Sequence, residues 1–227
     1  MRAVLFLNGS ADPPGLLRRV AAQADLVVAA DGGALHALRA GIVPDLVVGD
    51  MDSLGEEGAR TVRERGANLE RHPPRKDKMD AHLAILAARR RGATVLDLVC
   101  ATGGRPDAVF ALPHLLLAAE RLGARATAVA GWGEMFVVEN GSRAVGGRPG
   151  EGASVFPLAG AAEGVDLKGF EYPLEGARIE PGDTVGFHNE LLGEGARVAV
   201  RRGALFVIHE TEGDEARTTP GGGGEAV

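Results

Sequence analysis

Four short segments of this sequence bring carboxylates, amides and glycines together in a way that suits chemistry on phosphates. Asn8-Gly9-Ser10, Asp31-Gly32-Gly33, Gly49-Asp50-Met51-Asp52-Ser53 and Thr102-Gly103-Gly104-Arg105-Pro106-Asp107 each follow a short apolar run. Glycine lets backbone N–H groups approach a phosphate closely, and a helix N-terminus behind the loop favours an anion. Any one of these loops could equally be a tight turn; all four together point to a shared rim. Asp50 and Asp52 stand two residues apart, so both can point the same way, and their mutual repulsion favours a divalent cation. Mg²⁺ takes a few carboxylates together with phosphate oxygens and water. The alternative for Asp52 and Ser53 is a helix cap, for which both residue types are well suited.

A fifth segment, Arg75-Lys76-Asp77-Lys78-Met79-Asp80, adds cations to the same rim. If Asp77 caps the following helix, Asp80 falls at its third position, where a carboxylate suits the helix dipole. Capping accounts for the acids but not for the cations beside them. Cations next to carboxylates fit a site for polyphosphate and metal, where both charges are needed. Arg105 offers a planar fork for a phosphate, or else a simple surface ion pair with Asp107.

The elements that must position these residues read as an α/β fold. The apolar runs Ala3–Leu7, Asp25–Ala30, Asp45–Gly49, Thr94–Cys100 and Arg125–Ala130 do not alternate with polar residues, which predicts strands buried on both faces of a parallel sheet. Amphipathic stretches near Leu16–Gln23, Ala34–Ala40, Gly55–Arg65, Asp80–Arg91 and Ala108–Leu122 alternate with them. Gly41, Gly66, Gly92 and Gly123 sit where helix C-caps belong. The succession predicts a doubly wound, mostly parallel sheet over residues 1–133, and such sheets bind ligands outside the carboxyl ends of their strands. Beyond that point shorter pieces follow: Met135–Glu139, Ala153–Pro157, Val165–Phe170, Thr184–Phe187, Arg197–Arg201 and Ala204–His209. They predict a small β-sandwich over 134–212, then a disordered tail over 213–227.

Composition excludes several classes. Lys plus Arg number 25 against 31 Asp plus Glu, a formal charge of −6; nucleic-acid affinity rests largely on neutralising phosphates, so no nucleic-acid partner is expected. One cysteine excludes a disulfide framework and a cysteine-rich zinc site, and suits a reducing cytoplasm. No apolar run approaches the roughly 20 residues that span a bilayer, and the first apolar run is too short for a signal peptide. Arginine outnumbers lysine 22 to 3, which makes the neighbouring Lys76 and Lys78 conspicuous. There is no P-loop, no dinucleotide-binding fingerprint and no nucleophile elbow.

Taken in order, Ala30-Asp31-Gly32-Gly33, Pro44 to Ser53, Lys76-Asp77-Lys78-Met79-Asp80, Thr102 to Asp107 and Phe187-His188-Asn189-Glu190 resemble the signature of the thiamine pyrophosphokinases. The resemblance spans about residues 3 to 210. It implies an N-terminal α/β domain, a C-terminal β-sandwich and a homodimer, with pyrophosphate passing from ATP to the hydroxyl of thiamine to give thiamine diphosphate and AMP. It implies that Asp50, Asp52 and Asp80 hold Mg²⁺. Asn8, Asp31, Gly32, Gly33, Lys76, Thr102, Gly103 and Gly104 would border the nucleotide. Asp77, Arg105 and Asp107 would act in catalysis, and His188 and Asn189 would meet thiamine across the dimer. The sequence departs from the pattern at Met79, Ala108, Leu112 and His188, where the family has threonine, histidine, asparagine and serine. These departures keep open a pyrophosphokinase acting on another alcohol, such as a hydroxymethyl pterin, and a weakened nucleotide- or thiamine-binding protein. A phosphatase using Asp50 as nucleophile is the third alternative, although that motif normally closes the first strand of its domain.

Overall fold

The computed structural model describes residues 1–211. The tail expected at 213–227 lies outside the described residues. The first half alternates as predicted: β1 (Arg2–Phe6), α1 (Pro14–Ala21), β2 (Leu26–Ala30), α2 (Gly33–Arg39), β3 (Leu46–Gly49), α3 (Gly55–Glu64), β4 (Asn68–Arg71), α4 (Asp80–Arg90), β5 (Val95–Val99), α5 (Pro106–Arg121) and β6 (Arg125–Ala130). These strands pair in parallel in the order β4-β3-β2-β1-β5-β6. The chain therefore winds outwards from β1 to β4 and then crosses back to β5, which leaves the switch point between β1 and β5. Helices cover both faces. Ala84, Ile85 and Ala88 of α4 and Leu112, Leu116 and Ala119 of α5 pack on one side. Leu17 and Val20 of α1, Ala37 of α2 and Val62 of α3 pack on the other.

Strands buried on both faces leave polar side chains only where each has a partner. Asp97, in the middle of β5, is 2 % exposed. Arg2 reaches it from β1 with Nε 2.5 Å and Nη2 3.0 Å from its two oxygens, so the buried carboxylate is met by a bidentate fork. The four glycines expected to end helices, Gly41, Gly66, Gly92 and Gly123, all have left-handed backbone. β4 was not predicted. It is an edge strand with half its residues exposed, so it has no apolar run to betray it.

The second half continues the same sheet. It comprises β7 (Gly133–Glu139), β8 (Ser142–Val145), β9 (Gly152–Lys168), β10 (Leu174–Ile179), β11 (Asn189–Glu190) and β12 (Ala196–Glu210). β7 runs antiparallel to β6 from Ala130↔Gly133 to Thr127↔Phe136, so sheet hydrogen bonds cross the boundary expected at residue 133. β12, β9 and β10 follow beyond β7, with β8 paired to β12 and β11 to β9. Phe136, Val155, Leu167, Phe170, Ile179, Leu191, Val198 and Val207 form a separate core there.

The predicted short strands differ from these elements in one respect with a clear cause. Ala153–Pro157 and the first four residues of Val165–Phe170 belong to the single strand β9, and Arg197–Arg201 and Ala204–His209 to β12. The glycines between them do not end the strands. Gly203 sits at a register shift between Arg202 and Ala204, where a Cβ would lie 2.7 Å from the Ala161 carbonyl oxygen, so glycine permits the bulge and the strand continues. Thr184–Phe187 is a turn region and not a strand. β8 and β10, short and partly exposed, were not predicted.

Candidate active site

The carboxyl ends of β1, β2, β3 and β5 open into a cleft of about 490 Å³. Four of the rim loops predicted from sequence meet there. Asn8 and Gly9 follow β1; Asp31 follows β2; Asp50, Asp52 and Ser53 follow β3; Gly103, Arg105 and Asp107 follow β5. Asp80, the first residue of α4, completes the polar lining. The opposite wall is apolar and comes from one side of α5: Ala108, Ala111, Leu112 and Leu115. The sequence marks Ala108–Leu122 only as an amphipathic stretch, because a spacing of three and four does not tell a face that lines a cleft from one that packs in a core. Met79, Ala108 and Leu112, three of the departures from the family pattern, all line the cleft.

The loops are held by backbone contacts too close for side chains. The Gly9 N–H donates to the Cys100 carbonyl at 2.9 Å and the Ser10 N–H to that of Thr102 at 2.8 Å, which laces the β1 and β5 loops together at the switch point. A Cβ at Gly9 would lie 2.5 Å from the Cys100 oxygen. Three rim loops carry a non-glycine residue in the left-handed region: Asp31, Met51 and Cys100, with φ of 45°, 68° and 53°. Such conformations cost about 1–3 kcal/mol each and persist where the surroundings over-determine them.

The acids form a cluster. One carboxylate oxygen from each of Asp31, Asp50 and Asp52 lies within 4.8 Å of the others. Asp31 is 3 % exposed, and its two oxygens accept the N–H groups of Ser53 and Leu54, each at 3.1 Å. It thus serves the turn entering α3; the capping role weighed as the alternative for Asp52 and Ser53 is not formed, since neither caps that helix. Burial first, and then the nearby Asp52, push the Asp31 carboxyl above its usual range, against the pull of those N–H groups. Lys76 places its Nζ 2.6 Å from Asp50 Oδ2 and 3.0 Å from Asp80 Oδ1. Contact with Lys76 holds the Asp50 carboxyl below its usual range. Burial opposes charge on Lys76, but its two acidic partners outweigh that and raise it. The metal acids proposed from sequence are therefore divided here: Asp50 and Asp52 stand with Asp31, and Asp80 joins them through Lys76.

The remaining predicted residues sit as follows. Arg105 and Asp107 pair at the mouth of the cleft, Nη2 to Oδ2 at 2.6 Å and Nε to Oδ1 at 3.1 Å. That contact brings the Asp107 carboxyl down to about 2. Gly32 packs on the Asn8 side chain and Gly33 on the Phe6 carbonyl, behind the lining. Gly104 borders a neighbouring apolar groove with Val109, Phe110 and Leu158. Asp77 is exposed and outside the cleft lining. Nor does it cap α4: the residue before that helix is Met79 and Asp80 is its first residue, because the chain stays irregular through Lys78. His188 and Asn189 also lie outside the lining, in the antiparallel half. Asn189 is 3 % exposed, and its amide is spent on backbone, accepting from Tyr172 and Glu190 N–H at 2.9 Å and donating to Tyr172 O at 2.8 Å. His188 is exposed with φ of 55°, beside Phe187.

Clustered acids, a lysine, an arginine fork and glycine-bordered loops at a switch point define an α/β protein that handles phosphate compounds. Comparison with known proteins is specific. The profile of the thiamin pyrophosphokinase catalytic domain matches residues 17–127, and that of the thiamin pyrophosphokinase vitamin B1 binding domain matches 147–205. The chain belongs to the thiamin pyrophosphokinase family, transferases that use ATP to diphosphorylate thiamine. The thiamine pyrophosphokinase of Bacillus subtilis is 25 % identical over 188 residues, covering 82 % of this chain and 88 % of that protein. The crystal structure of thiamine pyrophosphokinase from Bacillus subtilis superposes with a TM-score of 0.82 at 22 % identity, over 93 % of this chain and all of the other. That from Geobacillus thermodenitrificans gives 0.80 at 25 %, over 94 % and 99 %. That from Candida albicans gives 0.78 at 16 %, over 93 % and 89 %. The pterin-directed and binding-protein alternatives are not favoured by these matches. No helix among the described residues is long and apolar enough to cross a membrane.

Proposed function

We propose that the cleft takes ATP and a divalent cation, that residues 1–133 form the catalytic unit, and that residues 134–212 present thiamine. The observation that carries this reading is the set of three carboxylates, Asp31, Asp50 and Asp52, with oxygens within 4.8 Å of one another at the strand ends. Hard oxygen donors so close together suit Mg²⁺, which Asp50 and Asp52 would hold with Asp31 or Asp80 beside them. When bound, the cation offsets charge on the phosphates. The chain's own residues supply the rest. Lys76 neutralises Asp50 and Asp80, and turns to phosphate oxygens when they arrive. Arg105 exchanges Asp107 for a phosphate through the same planar fork. Asn8 and the backbone of Gly9 and Gly103 border the nucleotide.

In the reaction the thiamine hydroxyl oxygen attacks the β-phosphorus of ATP, the bond from that phosphorus to the α,β-bridging oxygen breaks, and AMP departs. While Arg105 is paired with it, Asp107 is a poor proton acceptor, its carboxyl held at about 2; its task is to hold the Arg105 fork ready until a phosphate arrives. Asp77, on the loop that carries Lys76, is the other acid proposed for the alcohol proton. Asn189 supports the acceptor end indirectly, by fixing the backbone on which His188 and Phe187 stand. Because His188 and Asn189 lie outside the cleft of their own chain, a homodimer is the arrangement in which a second copy brings them to it.

The test is AMP formation from ATP and Mg²⁺ with thiamine, with a hydroxymethyl pterin or with no acceptor, in wild type and Asp50→Asn. Thiamine-dependent AMP that disappears in the variant is the expected result. AMP formed only with the pterin, or none with any acceptor, overturns the reading.

A further inference from the structure

Asp12 and His36 belong to none of the motifs above and neither lines the cleft, yet both act on one residue that does, Gly9. The Gly9 N–H is accepted by the Cys100 carbonyl at 2.9 Å. On its other side, the Gly9 carbonyl lies 3.0 Å from His36 Nε2. A carbonyl can only accept, so His36 carries its proton on Nε2 and donates. Cys100 is in turn held by Asp12, whose Oδ2 accepts the Cys100 N–H at 2.7 Å while Oδ1 accepts the Gly131 N–H at 3.3 Å. Cys100 is a buried non-glycine residue at φ of 53°. Turning it back towards an extended conformation would swing the carbonyl that Gly9 uses. The Asp12 carboxylate, one residue before the Pro13 that leads into α1, thus sets the β5 turn, and the β5 turn sets the β1 loop.

The two supports come from different directions. His36 stands on α2, behind the β2 loop, whereas Asp12 works through β5. The side chain of His36 faces the Gly9 carbonyl with Asp12 close enough to interact with it electrostatically. Burial raises the Asp12 carboxyl, opposed by its two N–H donors and by His36. A partly buried acid in this setting is more costly than a neutral residue there, and it is repaid only through the hydrogen bonds it accepts.

We infer that Asp12 and His36 are positioning residues that fix Gly9 from both sides, Asp12 through Cys100 at its N–H and His36 at its carbonyl, so that the β1 loop meets the phosphates of the nucleotide in one fixed orientation. This rests on the reading that the rim takes ATP phosphates. A loop free to reorient must be ordered on binding, which lowers affinity and misplaces the reacting phosphorus.

The variants Asp12→Ala, Asp12→Asn, His36→Ala, His36→Gln and the double Asp12→Ala/His36→Ala test it, with kcat and KM for ATP, ATP affinity and melting temperature measured for each. Asparagine keeps an oxygen for the Cys100 N–H and gives up the Gly131 bond; glutamine keeps an N–H for the Gly9 carbonyl. The expected result is a loss of about tenfold or more in kcat/KM for ATP in each alanine variant, and recovery to within about threefold in Asp12→Asn and His36→Gln. The double variant should be no worse than about threefold below the poorer single, because both residues fix the same residue, Gly9. Alanine variants within twofold of wild type overturn the inference. So does an Asp12→Asn variant as impaired as Asp12→Ala, since the loss would then follow Gly131. If Asp12→Ala does not fold, the His36 pair decides by the same criteria. Failure of the underlying reading looks different: wild type would then bind ATP with an affinity that Arg105→Ala and Asp50→Asn leave unchanged.

Discussion

The rim at the carboxyl ends of the parallel strands and the interior of the antiparallel half treat their polar side chains in different ways. In the parallel half, Asp31, Asp50 and Asp52 crowd together at the strand ends with one lysine among them, an arrangement of like charge that costs stability. In the antiparallel half, the buried Asn189 has its amide matched to backbone on both sides. His209, 1 % exposed, lies between Glu151 and Glu134. The rim carries more acids than its one lysine offsets, which suits a ligand that brings positive charge; groups fully met by protein partners, Asn189 here and Asp97 with Arg2 in the parallel half, hold the fold. The two halves share one sheet, so the contrast follows position along that sheet.

That contrast can be broken at single residues. Asp52→Asn should lower AMP formation by roughly a hundredfold, about 2.7 kcal/mol in activation free energy, while the melting temperature stays the same or rises because a repulsion is removed. A melting temperature that falls by many degrees would mean that the acids hold the fold. Asn189→Ala should do the reverse. Leaving Tyr172 and Glu190 backbone groups unpaired costs on the order of 2–4 kcal/mol, or roughly 5–15 °C in melting temperature for a chain of this length, and ATP affinity should stay within twofold. Calorimetric unfolding and ATP titration on the same preparation separate the two effects.

Arg105→Ala sharpens the comparison inside the cleft. Its pair with Asp107 is exposed, so stability should be unchanged, whereas ATP affinity should drop by about tenfold; an unaltered affinity would assign the arginine to the surface alone. The smallest effect concerns His209. Burial opposes its charge, but Glu134 and Glu151 outweigh that and raise the imidazole above its ordinary 6.5. A group raised in the folded state contributes stability that is fully present below the unfolded value and is lost as pH rises through the folded value. The difference in melting temperature between wild type and His209→Gln should therefore be largest near pH 6 and shrink by a few degrees towards pH 9. A difference independent of pH would show that His209 acts by packing only.

The parallel half was legible because its signals are local. Runs such as Leu46–Gly49, buried throughout, and glycines such as Gly66 at helix ends identify strands and helices without reference to anything distant. β4 and β10 were not, since an exposed edge strand has no apolar pattern of its own and is defined by the neighbour it pairs with. β9 and β12 were read as four pieces because a glycine in a chain reads as an end; only their mutual register shows that Gly203 is a bulge inside a continuing strand.

For the site, the sequence alone determined the chemistry: acids in pairs, cations beside them and glycines after strands, with residue types and spacing enough to name a family. Tertiary structure decided the groupings. It placed Asp31 with Asp50 and Asp52, since β2 and β3 are adjacent, and tied Asp80 to them through Lys76. It turned the amide of Asn189 towards backbone and left Asp77 outside. It also brought Asp12 to Cys100, 88 positions away, and His36 to Gly9, 27 positions away. Spacing along a chain constrains what neighbours within one element can do, but hydrogen bonds and ion pairs form across space, and the partner of a side chain is chosen by which strands lie side by side.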